Sequence, residues 1–94
     1  MSHVSLGLTA HAARRLQQRG VARWFVDALL LHGRAAHDGH GAVLVHVDAS
    51  MRRQLKSELL PSVYRRAERY FDVYAVVADQ RVITVARRTR RRFN

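Results

Sequence analysis

Two β-rich runs, Val73–Ala78 and 81–86, lie only two residues apart near the end of the sequence, and that arrangement constrains the fold most. Runs rich in Val, Ile, Tyr and Thr, separated by Asp79-Gln80, read as a β-hairpin. The chain is therefore not all-helical. An isolated hairpin is marginal in water, so other segments must cover one of its faces. A two-residue loop pairs Ala75 with Thr84 and Val76 with Ile83. Tyr74, Val76, Ile83 and Val85 then form the core face, leaving Val73, Ala75, Thr84 and Ala86 on the smaller, open one. A slip of one residue exchanges the two faces.

The covering elements are legible upstream. Thr9 is the expected N-cap of a helix over 10–19, with Gly20 as its left-handed closing residue. A second helix follows, its stripe Val21, Trp24, Phe25, Ala28, Leu29 and His32 at helical spacing, and Gly33 is expected to close it in the same way. The polar stretch 33–41 reads as a turn with a short strand on its N-terminal side. Alternation over 42–47 predicts a strand with Val43, Val45 and Val47 on one face and Leu44 and His46 on the other. Asp48 or Ser50 then caps a third helix carrying Met51, Leu55 and Leu59, and Pro61 fits the first turn of a fourth that runs to about Tyr70. This order of helices and strands predicts an α+β fold, a two-helix hairpin packed on an antiparallel sheet. Ninety-four residues are expected to make a single domain, with its core over about 8–88 and a basic tail over 89–94.

Composition narrows the function. With 48% hydrophobic residues the chain has enough apolar surface to order itself. No apolar run, 28–31 included, approaches the roughly 20 residues of a membrane span, and the first residues do not resemble a secretory leader. No cysteine is present, which removes disulfides and thiolate metal sites and suits a cytoplasmic setting. The six histidines show no recognised ligand spacing, so neither metal nor other cofactor is expected. Charge is the outlier: 17 Lys and Arg against 7 Asp and Glu give a formal +10, with Lys56 the only lysine. Guanidinium groups grip phosphate as planar forks and stack on bases. A polyanion, and RNA first, is the expected partner.

Three groups of residues could carry chemistry. His11, Arg15 and Arg19 are spaced i, i+4, i+8 and project along one side of the first helix, beside the apolar stripe Leu8, Ala12 and Leu16. Such a rim offers phosphate-binding cations and a group that exchanges protons near neutral pH. Arg87 and Arg88 continue the last strand, Arg88 on the face of Thr84 and Ala86. Arg90, Arg91 and Arg92 add diffuse attraction. Arg52, Arg53 and Lys56, with Arg65, Arg66 and Arg69, read as solvated helix faces.

The opening Thr9-x-His11-Ala12-x-x-Arg15-x-x-x-Arg19-Gly20-Val21, with Tyr74-x-Val76-Val77 and Val82-Ile83-Thr84-Val85-x-Arg87-Arg88-Thr89, resembles a domain family similar to RelE-like toxins. The resemblance runs from about Leu8 to Arg92. It implies a RelE-like fold with a C-terminal β-hairpin, and a substrate groove on a twisted antiparallel sheet lined by basic and hydroxyl side chains. It further implies a metal-independent endoribonuclease in which His11 serves as acid or base, Arg15 and Arg88 hold the phosphate, and Arg19 and Thr84 line the site. Nucleic-acid contacts would come from Arg15, Arg19, Arg87, Arg88 and Arg90. The chain departs from the expected pattern at Ala86-Arg87, where relatives are expected to carry Gly-His, so a two-histidine mechanism loses one member. Two further readings stand beside this one: an RNA-binding module without catalysis, and an interaction domain for an acidic protein such as an antitoxin.

Overall fold

A computed structural model describes residues 7–88. The order is β1 (Gly7–Leu8), α1 (Ala10–Arg19), α2 (Arg23–His32), β2 (Arg34–His37), β3 (Val43–His46), α3 (Ala49–Glu58), α4 (Pro61–Glu68), β4 (Val73–Ala78) and β5 (Arg81–Arg87). The fold is α+β, and the strands form one sheet in the order β1-β5-β4-β3-β2. The sheet is mixed rather than antiparallel throughout, because β1 runs parallel to β5 with Gly7 opposite Arg81 and Leu8 opposite Val82. The tail 89–94, Arg90 included, lies outside the described residues.

Local chemistry explains the boundaries. The Thr9 hydroxyl accepts the Ala12 amide at 3.1 Å, satisfying one of the free N–H groups at the start of α1. Gly20 closes that helix at φ 63, in the left-handed region that suits glycine. Asp48 caps α3 by accepting the Met51 amide at 2.9 Å. Pro61 occupies the first turn of α4, where a missing N–H costs nothing.

Gly33 corrects the expectation. Its backbone is extended, φ −72 and ψ 168, so conformational freedom is not its role. A Cβ placed there would meet the Leu29 carbonyl oxygen at 2.5 Å and Val45 Cγ1 at 2.8 Å. Only a hydrogen fits.

All buried residues belong to one cluster. Ala12 and Leu16 of α1, Phe25, Val26 and Leu29 of α2, and Met51 and Leu55 of α3 join Ala67 of α4 on one face of the sheet, against Val45, Val73, Ala75, Val82 and Val85. Within α2 the buried stripe is rotated from the expected one: Val26 is buried, while Trp24 is 40% exposed. Trp24 packs at the margin, its ring edge-on to Phe25 and Tyr70.

The faces of β4 are exchanged relative to the simple two-residue register, while on β5 Val85 faces inward and Thr84 and Ala86 outward as expected. Asp79 and Gln80 form the turn with positive φ at both, but a bulge between Val76 and Val77 shifts the ladder. Val76 then faces Thr84, and Ala75 faces Val85. Ile83 is the extra residue, two on β5 opposing one on β4. Val73, Ala75, Val82 and Val85 therefore line the core, and Tyr74, Val76, Thr84 and Ala86 look out from the opposite face. The alternation on β3 is as expected, with Val45 inward and His46 outward.

Candidate nucleic-acid interface

The outward face of the sheet carries a continuous cross-strand row. Arg34 of β2 is the register partner of His46 on β3, His46 is the partner of Tyr74 on β4, and Tyr74 is the partner of Ala86 on β5. Directly opposed residues hold their Cβ atoms about 4.5–5.5 Å apart. One cation, one imidazole and one phenol are thus set side by side, and Ala86 leaves a shallow place beyond the phenol. A second row, Ala36, Leu44, Val76 and Thr84, runs parallel to the first. It is apolar apart from one hydroxyl. Arg81 at the hairpin turn, opposite Ala78, lies on this same outward face.

The end of β5 frames the polar row. The Arg88 amide donates to the Asp72 carbonyl at 2.8 Å, so the backbone stays extended one residue past the strand. Strand alternation puts Arg88 on the face of Ala86 and Thr84. Arg34 is the most exposed member, its side chain 70% accessible with only a 4.0 Å approach to Asp48. His46 is half-buried, and its Nδ1 lies 3.3 Å from the Val47 carbonyl oxygen.

Arg87 has a different occupation from its neighbour. Its Nη1 donates to Asp72 Oδ1 at 2.6 Å and to the Arg69 carbonyl at 3.0 Å, and the guanidinium sits 6.0 Å from the centre of the Tyr70 ring. It ties the last strand to the end of α4. A charge so engaged contributes less to an incoming phosphate than its place in the sequence suggests.

The first-helix group is brought together as its spacing implies. Arg15 Nε donates to His11 Nε2 at 3.4 Å, and Arg15 Nη1 donates to Gln18 at 3.2 Å. Arg19, the last residue of α1, is exposed. This helix packs through Ala12 and Leu16 onto the Val82 and Val85 face, whereas Thr84 and Arg88 belong to the other. The candidate residues therefore divide between the two sides of the sheet. Thr9 makes the link between them, its amide donating to the Val82 carbonyl at 3.0 Å and its hydroxyl to that of Ile83 at 3.4 Å.

Sequence reasoning missed Arg34, His46 and Tyr74 as a group. Each is ordinary alone, and only the registers of three strand pairs put them in line. Among the described residues no three His, Asp or Glu side chains gather as metal ligands, and no helix is long and apolar enough to cross a membrane. No family model matches the chain, and neither a curated protein nor a solved structure matches it.

Proposed function

We propose that this protein binds RNA through the outward face of its sheet. The observation that carries the reading is the row Arg34–His46–Tyr74, with Arg88 near its β5 end, on the sheet face opposite the one against which the described helices bury their apolar residues. Arginine supplies the phosphate contacts, and the apolar row beside it offers a surface on which unstacked bases can lie. The formal +10 draws a polyanion in, and the row gives it a register. On the same basis we read the architecture as RelE-like. The two helices that precede the sheet, the antiparallel β4–β5 pair and the basic and hydroxyl groups on the open face support that reading.

A salt series with a labelled single-stranded RNA tests it. Affinity should fall steeply as salt rises, and Arg34→Ala or Arg88→Ala should each flatten the log–log slope by about 0.7. Arg52→Ala, on α3, should change it less. Binding that is absent or indifferent to salt overturns the proposal.

One observation favours the protein-partner reading. Leu8, Ala13, Leu16 and Val21 line an open groove between α1, the start of α2 and β1, with Arg14 and Arg23 at its rim. That pattern suits an acidic segment with an apolar edge, the chemistry of an antitoxin.

A further inference from the structure

We propose that His46 is a catalytic residue, the base that starts metal-independent cleavage of RNA lying along the Arg34–His46–Tyr74 row. The inference rests on the RNA-binding reading above and assigns chemistry to that site. Its starting point is the hydrogen bonding of the imidazole. The Val47 carbonyl oxygen can only accept, so its 3.3 Å approach to Nδ1 is a hydrogen bond when Nδ1 carries the proton. Nε2 then keeps its lone pair. A backbone carbonyl holding the far nitrogen is a common way of orienting a histidine that exchanges protons. His11 lacks this arrangement, since its Nε2 already accepts from Arg15.

The neighbours complete the chemistry. Arg34 and Tyr74 are the register partners of His46 on either side, and Asp48, the cap of α3, approaches the Arg34 guanidinium no nearer than 4.0 Å. With a ribose 2′-hydroxyl over the imidazole, Nε2 takes its proton as the 2′-oxygen bonds to the adjacent phosphorus. The bond from phosphorus to the 5′-oxygen breaks, and that oxygen leaves with its electron pair and takes the Tyr74 phenolic proton. The imidazolium then returns a proton to the tyrosinate across the strand pair. The products are a 2′,3′-cyclic phosphate and a free 5′-hydroxyl, with no oxidant, reductant or metal consumed. Arg34 sets positive charge beside the phosphorane as it forms.

The test uses the full chain in excess EDTA with two labelled RNAs of one sequence, one all-ribose and one 2′-O-methylated throughout. The wild type should bind both and cleave only the first. His46→Ala should still bind the methylated strand, and at saturating all-ribose RNA it should lose about a hundredfold or more in kcat. The fall in wild-type rate toward acid pH should vanish from the residual rate, and added imidazole should restore part of it. His40→Ala, in the β2–β3 turn, should cleave as the wild type does. If His46→Ala does not give the wild-type circular dichroism spectrum, His46→Gln, which keeps the volume, decides by the same measures. A wild type that binds but does not cleave overturns this inference and leaves RNA binding intact. So does a loss of less than a hundredfold, or an acid limb that survives the substitution. A wild type that binds neither strand overturns both proposals.

Discussion

Gly33 and Arg87 show how much a single position can differ from what its residue type suggests. Glycine after a helix usually means a left-handed turn, and Gly20 obeys that rule. Gly33 instead lies where the end of α2 presses on β3, with Leu29 and Val45 against its α-carbon. Gly33→Ala should therefore lower stability by about 1–3 kcal/mol, as overpacking does, although alanine suits its φ and ψ. A urea melt measures it; an unchanged midpoint means the two elements separate without cost. Arg87 teaches the same lesson about charge. Neighbouring arginines look equivalent in sequence, yet strand alternation sends them to opposite faces, and Arg87 ties its strand to Asp72 and the Arg69 carbonyl.

At the scale of elements, the bulge in the hairpin decides which residues can meet RNA. One additional residue on β5 turns Val82 and Val85 inward together while Ile83, 37% exposed, looks out. Val85→Ala should cost about 2–3 kcal/mol, from lost burial and the cavity left behind. Ile83→Thr should cost about 0.5 kcal/mol or less, as solvent-face changes do. Thermal or urea melts in which Ile83→Thr cost as much as Val85→Ala would return the unbulged register. The helices, the caps at Thr9 and Asp48 and the proline in the first turn of α4 were legible in the sequence, because capping and helical periodicity are set by neighbours a few residues apart. The strand over 42–47 was legible for the same reason. The facing of β4 and of Ile83 was not, since a bulge answers to twist and packing that no local pattern encodes, whereas Val85 inward and Thr84 outward were read correctly. The candidate site was half legible. His11 with Arg15 follows from helical spacing, but the Arg34–His46–Tyr74 row needs three strands whose pairing depends on the finished sheet. The parallel strand β1 was missed entirely, because two residues are too few to show a period.

For the whole molecule, the division of labour is between a packed face and an open one. Four helices bury their stripes on one side, and the positive charge that they do not use is left at the surface. This arrangement makes long-range attraction and local recognition separable. Removing the three arginines at 90–92 should slow association and reduce the salt slope. Arg34→Ala should act on the bound complex as well, so stopped-flow binding should show its effect partly in the dissociation rate.

The short parallel strand has a consequence for how the protein is made. Residues 7–8 are made 74 residues before the β5 edge on which they dock. At roughly 5–20 residues per second, the leading segment waits some 4–15 s for its partner. Because β5 also supplies Val82 and Val85 to the core, a chain ending at Gln80 should show no cooperative melt. The nascent chain therefore has no finished form to fall into until β5 has been made, and the cross-strand row on its open face is assembled only then.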